Sequence, residues 1–496
     1  MKYILSIDQG TTGTTVAIIE TKNFTLLDKI NHEFEQIFPC PGQVEHDLNK
    51  IWQSVKLGVL YLIDKYSLNK DNIAAIGITN QRETTCAFKK NGEPLHNAIV
   101  WQDRRTVAFC QSIKDRNLEE DITNRTGLFM DPYFSGSKMN WFLNNSIKVQ
   151  TASKENNLLF GTIDTFILYK LTNGNSYFTD TTNASRTLLM NLKTCDWDND
   201  LCDLFQVNIN QLPKIKNSTD FFGDTNGLDF LPDGIPITGI LGDQQAALFG
   251  QAGIDNGDAK CTYGTGAFAL INTGHEIKKS KNGLLSTVAY SHNGQNKYAL
   301  EGSSYIAGAA VQWLRDNLNF FPKAPKIEEL ANHVKNLNDI QHLHFFPYFS
   351  GIGTPFWKPE AKACLIGMDR GTTKEQISRA CLEGIALSID DLFNSMAEDS
   401  ATKLNEIKVD GGAVSNNLLC EIQASFSKIK IIRPKVIETT AYGAALAAAV
   451  GIKLIEINAI KELWKYDKEF VPRTEKYYTD KKMKWKQTQK IIYLNN

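Results

Sequence analysis

The sequence predicts an α/β protein of two domains, each with a mixed sheet flanked by helices, and a ligand cleft between them. Its length of 496 residues exceeds what one hydrophobic core usually organises, so two or three domains are expected. Strand-like apolar runs alternate with segments of helical periodicity in both halves. Each half also contains a glycine- and threonine-rich turn between two strand-like runs.

The two turns are Asp8-Gln-Gly-Thr-Thr-Gly13 and Thr262-Tyr-Gly-Thr-Gly266. The strand-like runs that flank them are Tyr3–Ile7 with Val16–Ile19, and Ala259–Thr262 with Ala267–Ile271. Glycine lets a backbone approach a ligand closely, and threonine hydroxyls add donors beside the exposed N–H groups. Each turn is therefore predicted to bind phosphate. Two such turns in two halves indicate one polyphosphate held between two domains, as in a nucleotide-driven enzyme.

The other predicted elements follow a similar order in the two halves. The first half has a helix with apolar residues at Leu48, Ile51, Trp52, Val55, Val59, Leu62 and Ile63, then the buried strands Ile73–Thr79 and Ala98–Trp101. The second half has helices near Ala307–Leu318 and Glu375–Phe393, the strand Glu406–Val409, the turn Asp410-Gly-Gly412 and another helix. The glycine-rich polar segment Gly250–Asp258 predicts a boundary, which gives domains 1–252 and 253–496.

Composition argues against several classes of protein. The sequence has 54 lysine and arginine residues against 55 aspartate and glutamate residues, which gives a net charge of −1, so no nucleic-acid partner is expected. The lysine clusters Lys278–Lys281 and Lys481–Lys486 are typical of solvated faces. The chain starts with an apolar strand and shows no signal-peptide cleavage site. The apolar run Ala441–Ile452 is too short to span a bilayer and predicts a buried helix. A cytoplasmic protein without membrane insertion is expected.

Cysteine and histidine spacing does not predict a metal site. The nine cysteines form no Cys-x-x-Cys pair, which is typical of reduced thiols in a cytosolic enzyme. His342 and His344 would share one face of a strand. Because no third ligand is near, a structural interpretation is favoured over a metal site.

Missing motifs narrow the nucleotide chemistry. The sequence has no Gly-x-x-x-x-Gly-Lys-Ser/Thr, which excludes a P-loop enzyme, and no His-Arg-Asp or Asp-Phe-Gly, which excludes a protein kinase. No Gly-x-Gly-x-x-Gly opens a helix after a strand, which argues against a dinucleotide enzyme.

Two aspartates stand where phosphoryl transfer needs carboxylates. Asp8 directly precedes the first turn and is predicted to hold Mg²⁺ through water, although a carboxylate there can also cap the turn. Asp243 follows the apolar strand Ile235–Leu241 and opens an alanine-rich helix, where an isolated aspartate is most often an N-cap. Near Mg²⁺ and phosphates it would stay ionised and accept a hydroxyl proton, which makes it the candidate general base.

Three further segments place polar and aromatic side chains after strands or in a rigid loop. They are Asn80-Gln-Arg-Glu83, Trp101-Gln-Asp-Arg-Arg105 and Asp131-Pro-Tyr-Phe-Ser-Gly136. The carboxyl ends of strands are where α/β sheets usually bind ligands, although Arg beside Glu is also a common surface ion pair. A small polyol needs hydrogen bonds to its hydroxyls and apolar cover on its carbons, and these segments offer both.

The chain resembles the FGGY carbohydrate kinase family of the actin/Hsp70/sugar-kinase superfamily, and in particular its glycerol-phosphorylating members. The motifs that carry this resemblance run in family order over most of the chain: Asp8-Gln-Gly-Thr-Thr, Asn80-Gln-Arg-Glu-Thr-Thr85, Ala98-Ile-Val-Trp-Gln-Asp-Arg-Arg105, Asp131-Pro-Tyr-Phe-Ser-Gly-Ser-Lys138, Thr182-Asn-Ala-Ser-Arg-Thr187, Gly242-Asp-Gln-Gln-Ala-Ala-Leu-Phe-Gly-Gln251, Thr262-Tyr-Gly-Thr-Gly266 and Val409-Asp-Gly-Gly-Ala413.

The resemblance implies two actin-like (ribonuclease H-like) domains that close on MgATP and glycerol and form sn-glycerol 3-phosphate, with Asp243 as general base. It implies glycerol contacts from Arg82, Glu83, Trp101, Tyr133, Asp243, Gln244 and Phe268, the last of which also fits plain core. It implies ATP contacts from Thr11, Thr12, Gly13, Thr265, Gly308, Gln312, Gly412 and Asn416, with Asp8 at the metal. The family usually forms dimers or tetramers, so a homo-oligomer is expected.

Two departures from the family pattern are expected to matter. Many bacterial glycerol-phosphorylating members have arginine at the position of Thr15, so nucleotide contacts are expected to differ. The loop Gly223–Gly234 has Gly234 in place of the arginine that forms the fructose 1,6-bisphosphate inhibitory site of some relatives. It also lacks the phosphorylatable histidine of others. Weak or absent feedback through either route is expected.

Two alternative functions stay open from the sequence. Another polyol or ketose kinase of the family would share both turns, but the Arg82-Glu83 pair separates glycerol-phosphorylating members from relatives that act on larger sugars. A non-catalytic ATP-gated scaffold of the actin/Hsp70 type would need the turns but not Asp243, Arg82 and Glu83 together.

Overall fold

The computed structural model of the chain describes residues 2–494. The strands of the first half are β1 (Tyr3–Gln9), β2 (Gly13–Glu20), β3 (Thr25–Glu33), β4 (Glu45–His46), β5 (Ile73–Asn80), β6 (Thr85–Lys89), β7 (Ala98–Ile99), β8 (Leu158–Thr162), β9 (Phe178–Asp180), β10 (Met190–Asn191), β11 (Asp196–Trp197), β12 (Lys214–Lys216), β13 (Gly223–Asp224) and β14 (Pro236–Gly242). The helices are α1 (Leu48–Tyr66), α2 (Val107–Asp115), α3 (Glu119–Thr126), α4 (Ser135–Asn145), α5 (Ile147–Lys154), α6 (Ile163–Leu171), α7 (Thr181–Ala184), α8 (Asn199–Leu204) and α9 (Asp243–Gly250).

The strands of the second half are β15 (Ala259–Tyr263), β16 (Ala267–Gly274), β17 (Leu285–His292), β18 (Gln295–Ser304), β19 (His344–Phe346), β20 (Cys364–Ile366), β21 (Glu406–Asp410), β22 (Lys430–Pro434) and β23 (Tyr466–Phe470). The helices are α10 (Gly308–Asp316), α11 (Lys326–Asn332), α12 (Lys374–Ser400), α13 (Asn417–Ser427), α14 (Thr439–Gly451), α15 (Ile460–Leu463) and α16 (Lys476–Gln489).

Each half contributes one large mixed sheet. The N-terminal sheet has the order β13-β14-β5-β1-β2-β3, and the C-terminal sheet has the order β17-β18-β16-β15-β21-β22-β23. In both, an antiparallel hairpin (β1–β2 or β15–β16) is extended on one side by an antiparallel strand and on the other by two parallel strands. The predicted α/β class with mixed sheets is confirmed, and the two halves repeat one topology.

Helices α1 and α12 show how local sequence produces these layers. The apolar face of α1 is buried beside β2 and β3, and the Asp47 side chain caps the helix by accepting from the Asn49 N–H. Helix α12 starts with a capping box of Thr373 and Gln376, and it packs against β16 and β18 of the C-terminal sheet. It continues to Ser400, beyond the predicted end near Phe393.

Helices α9 and α14 join the two halves. α9 follows β14 of the N-terminal sheet yet contacts β15, β16 and β17, whereas α14 follows β22 of the C-terminal sheet yet packs on β14, β5 and β1. Glycines allow this close approach: a Cβ added at Gly77 would lie 2.2 Å from the Ala444 carbonyl oxygen. The run Ala441–Ile452 thus forms the predicted buried helix, and no helix within residues 2–494 is long and apolar enough to cross a bilayer.

Some predicted details differ in the structure. The strand predicted at Ala98–Trp101 ends at Ile99, because the chain turns there and the Asp103 N–H donates to the Val100 carbonyl at 3.0 Å. Lys481, predicted on a solvated face, is buried and donates to the Ile340 and Leu343 carbonyls at 2.5 and 2.6 Å. An ammonium group satisfies several carbonyls at once, so a buried lysine there is stable.

Candidate active site

Three parallel strands of the N-terminal sheet end at the same level. The register pairs Gln9 of β1 with Asn80 of β5, and Asn80 with Gly242 of β14. The segments that follow therefore begin side by side: the first turn after Gln9, the Arg82-Glu83 pair after Asn80, and Asp243 after Gly242. This is the strand edge at which α/β proteins usually bind ligands.

The first turn is tight, and it contacts a residue predicted to bind substrate. The Gly10 N–H donates to the Gly13 carbonyl at 2.9 Å. A Cβ at Gly13 would lie 2.9 Å from the His32 carbonyl oxygen, so β3 leaves no room for a side chain. The Thr11 hydroxyl accepts a 3.0 Å hydrogen bond from the Trp101 indole N–H, and Thr12 is exposed. A hydrogen bond thus directly connects the first turn with a residue of the predicted acceptor region.

The second turn is built in a similar way and docks onto α10. The Gly264 N–H donates to the Gly266 carbonyl at 2.8 Å. The N–H groups of Ala307 and Gly308 donate to the Thr265 and Gly264 carbonyls at 2.8 and 2.9 Å. The first turn of α10 is thereby fixed against the second glycine-rich turn, while the Thr265 side chain stays exposed.

The residues predicted to bind the rest of the nucleotide lie next to this second turn. A Cβ at Gly308 would be 3.9 Å from the Ala413 Cβ, which brings the start of α10 beside the segment after β21. A Cβ at Gly412 would meet nothing within 4 Å, so open space faces this residue. Asn416 caps α13 through its oxygen, which accepts from the Leu419 N–H at 2.9 Å. Gln312 is exposed on α10.

Arg82 lies between Asp243 and a carboxylate of the other half. Its Nη1 and Nη2 groups donate to the two oxygens of Glu301 in β18, with 2.9 Å from Nη2 to Oε1. Arg82 Nε lies 3.1 Å from Asp243 Oδ1. The Asp243 carboxyl group is 30 % exposed, whereas Arg82 and Glu301 are buried. Burial raises the pKa of Asp243, although Arg82 opposes that effect.

Glu83 is held by a second arginine. Arg186 Nε donates to Glu83 Oε1 at 2.6 Å, and Arg186 Nη2 donates to Glu301 Oε1 at 3.1 Å. Glu83 has a backbone φ of +61°, an uncommon conformation for a residue with a side chain. The Ser135 hydroxyl donates to its carbonyl at 2.9 Å, which helps to hold that conformation. Arg82, Arg186, Glu83 and Glu301 form one buried ionic cluster.

Gln244 and the aromatic residues complete the surroundings of Asp243. Lys260 Nζ donates to Gln244 Oε1 and, at 2.8 Å, to the Thr262 hydroxyl, so β15 fixes this amide. The Trp101 and Tyr133 rings meet edge to face with centroids 5.6 Å apart. Phe268, in β16, is half-buried rather than fully buried core.

Asp8 lies in a strongly acidic part of the site. Burial, reinforced by the carboxylates of Asp243 and Glu438, raises the pKa of Asp8 to about 8, against a smaller lowering by Lys29. A buried carboxylate whose charged form is disfavoured in this way would be stabilised by a bound cation. Among the described residues, no three His, Cys, Asp or Glu side chains form a metal-ligand group.

Three residues of the site were not assigned a role from the sequence. Glu301 and Lys260 are buried charged residues within strands, and Arg186 lies in a motif that was noted without a function. A charged side chain in a buried strand needs a partner, because burying an unpaired charge is costly. That rule marks Glu301 and Lys260 as candidates but does not identify the partner.

Comparisons with known proteins cover nearly the whole chain. The sequence model of the FGGY family of carbohydrate kinases, N-terminal domain, matches residues 3–250, and that of the C-terminal domain matches residues 259–452. A glycerol kinase of Myxococcus xanthus is 46% identical over 490 residues, 98% of each chain. A glycerol kinase of Staphylococcus haemolyticus is 44% identical over 474 residues, 95% of this chain and 94% of the relative.

Solved structures show the same fold. The crystal structure of Plasmodium falciparum glycerol kinase with ADP matches with a TM-score of 0.91 and 34% identity, covering 99% of this chain and 98% of that one. Gluconate kinase from Lactobacillus acidophilus matches with a TM-score of 0.88 over the same shares at 23% identity, which shows the fold alone.

Proposed function

The chain belongs to the FGGY family of carbohydrate kinases, and we propose that it transfers the γ-phosphoryl group of ATP to glycerol, forming sn-glycerol 3-phosphate and ADP. The observation that supports this most directly is the partly exposed Asp243 carboxyl group, 3.1 Å from the Arg82 guanidinium at the end of three aligned strands. A carboxylate beside hydrogen-bond donors suits a small polyhydroxy acceptor.

Asp243 is the general base of this proposal. It removes the proton of the attacking hydroxyl as the oxygen bonds to the γ-phosphorus atom and the bond to the β-phosphate oxygen breaks. Arg82, Glu83 and Gln244 bind the hydroxyls. Trp101, Tyr133 and Phe268 cover the carbon atoms and limit the access of water, which would otherwise hydrolyse ATP.

The two glycine-rich turns bind the phosphates from both sides. Thr11, Thr12 and Gly13 belong to the first turn, and Thr265 to the second. Gly308, Gln312, Gly412 and Asn416 surround the remainder of the nucleotide. This assignment is supported by the hydrogen bonds that fix α10 on the second turn and by the open space at Gly412.

Asp8 is the residue proposed to hold Mg²⁺, through water. The buried Asp8 carboxyl group suits a cation, and because no three His, Cys, Asp or Glu side chains form a ligand group among the described residues, most ligands would be phosphate oxygens and water, as Mg²⁺ prefers. When held there, Mg²⁺ would supply positive charge that offsets the negative charge of the phosphates.

The same proposal places the domain division between residues 252 and 253. It also includes a homo-oligomer of two or four subunits and a cytoplasmic location. A nucleic-acid partner is not part of it, in keeping with the net charge of −1. Light scattering on the purified protein measures the number of subunits.

The test of the function is ADP release from MgATP with and without glycerol, compared with gluconate and xylulose as acceptors. Glycerol-dependent release is expected. Release with a larger acceptor but not with glycerol would keep the kinase assignment and overturn the substrate. No acceptor-dependent release at all would favour the ATP-gated scaffold.

We expect Gly412→Ala to raise the KM for MgATP several-fold without lowering thermal stability. The added Cβ meets no protein atom within 4 Å, so any effect must come from the nucleotide that we place there. Steady-state kinetics with varied MgATP measure it. Gly371→Ala is the control, because Gly371 is exposed and an added Cβ would meet only Asp369 Oδ1, at 3.4 Å. Equal KM values for both variants would contradict the nucleotide site.

We expect saturating fructose 1,6-bisphosphate to leave the activity nearly unchanged. Gly234 has a backbone φ of +78°, so this position favours a turn glycine rather than an arginine that binds phosphate. Initial rates at fixed glycerol and MgATP measure the effect. Strong inhibition would contradict this prediction and would mean that the sugar phosphate binds without an arginine at position 234.

A further inference from the structure

Glu301 is a buried carboxylate of the C-terminal sheet that binds two arginines of the N-terminal half. In β18 it pairs with Leu270 and Leu285 of the neighbouring strands. Its Oε1 accepts from Arg82 Nη2 at 2.9 Å and from Arg186 Nη2 at 3.1 Å, and its Oε2 accepts from Arg82 Nη1. One carboxylate therefore connects the two halves at the acceptor site.

The hydrogen bonds of Arg82 leave one edge of its buried guanidinium without a hydrogen-bond partner among the described residues. An arginine has five N–H donors. In Arg82, one N–H on Nη1 and one on Nη2 donate to Glu301, and Nη1 also donates to Gln245 Oε1 at 3.1 Å. The Nε–H has no hydrogen-bond partner among the described residues, although Asp243 Oδ1 is 3.1 Å from Nε. Nε–H and the remaining Nη2–H lie on the same edge of the planar group.

This unpaired edge lies beside the partly exposed carboxyl group of Asp243, with Nε 3.1 Å from Asp243 Oδ1. Two parallel donors in a rigid fork match two neighbouring oxygen atoms of a ligand. Because Glu301 and Gln245 occupy the other donors, the guanidinium cannot rotate without losing several charged hydrogen bonds. Glu301 is ionised, since the two guanidinium groups outweigh the effect of burial and lower its pKa to about 2.

Resting on the proposed function, we propose that Glu301 is a positioning residue for the acceptor. It holds Arg82 so that the Nε edge faces the acceptor hydroxyls beside Asp243. Because Glu301 belongs to the C-terminal sheet and Arg82 to the N-terminal half, the acceptor site is complete only when the halves are together. Approach of the two halves and acceptor binding are coupled through this carboxylate.

A purely structural role of Glu301 would have different consequences for its variants. If Glu301 only neutralised two buried arginines, its loss would lower stability and affect glycerol and MgATP alike. Glu383 offers a matched control in α12: it is buried, accepts from Arg379 Nε at 2.9 Å, and accepts from the Tyr477 hydroxyl. It belongs to the layer behind the C-terminal sheet and has no part in the site.

The experiment measures initial rates of the full-length wild type, Glu301→Gln, Glu301→Asp and Glu383→Gln, with glycerol and MgATP varied separately, together with thermal unfolding. We expect the KM for glycerol to rise about tenfold or more in Glu301→Gln, as for the loss of a charged hydrogen bond. The KM for MgATP should change less than about twofold. Glu301→Asp keeps the charge and should give an intermediate rise. Glu383→Gln should lower the thermal midpoint only.

An unchanged KM for glycerol in Glu301→Gln overturns the inference, as does an equal rise in Glu383→Gln. If Glu301→Gln does not fold, Glu301→Asp decides in the same way. The wild type tests the proposed function separately. An active wild type with unaltered Glu301 variants overturns the positioning role alone, whereas a wild type without glycerol-dependent ADP release overturns the function.

Discussion

Asp243→Asn is expected to lower glycerol-dependent ADP release by about 10²-fold or more, because it removes the proposed general base while keeping the shape of the side chain. The Gln244 N–H now donates to Asp243 Oδ1 at 2.6 Å, and an amide oxygen can accept the same hydrogen bond. The start of α9 should therefore stay in place. The loss should appear in kcat, with glycerol and MgATP still binding.

Single-turnover rates with and without glycerol, and the KM values of both substrates, measure this effect. Asp47→Asn is the matched control, because the Asp47 carboxylate also accepts from an N–H at the start of a helix, the Asn49 N–H at 2.8 Å. That control should keep the wild-type kcat. An Asp243→Asn variant within about tenfold of the wild type would mean that proton removal contributes little to the barrier.

The sequence was sufficient to propose the parts of the candidate site that depend on local chemistry. The two turns need glycine where a neighbouring strand leaves no room, as Gly13 does beside His32, and this requirement is visible in a short segment. Asp243 was found because a strand, a glycine and a helix start follow one another in the chain. The aligned strand ends then bring these segments together, as parallel strands commonly do.

The sequence was not sufficient where partners lie far apart in the chain. Glu301 meets Arg82 and Arg186 across 219 and 115 positions, and nothing near Glu301 in the sequence specifies either arginine. The packing of α14 on the opposite sheet is also non-local. Periodicity predicts that the alanine-rich run is buried, but the surface that covers it depends on the topology of both sheets.

Gly443→Ala is expected to destabilise the protein strongly, although alanine has a higher helix propensity than glycine. In an exposed helix the exchange would stabilise by about 1 kcal/mol. Here the added Cβ would lie 1.8 Å from the Ala246 carbonyl oxygen and 2.9 Å from the Gly250 nitrogen, both backbone atoms of α9. Overpacking costs about 1–3 kcal/mol when side chains can adjust, and more when backbones must separate. The steric effect therefore outweighs propensity.

The separation of α14 from α9 should also reduce activity, because Asp243 is the first residue of α9. Thermal unfolding and the rate of digestion by chymotrypsin measure the stability, and glycerol-dependent ADP release measures the displacement of Asp243. Gly371→Ala is again the control, since its new Cβ meets only a carboxylate oxygen at 3.4 Å. A Gly443→Ala variant with the wild-type thermal midpoint would show that the two helices can move apart at little cost. Activity lost without a lower midpoint would show instead that the helix contact serves mainly to position the general base.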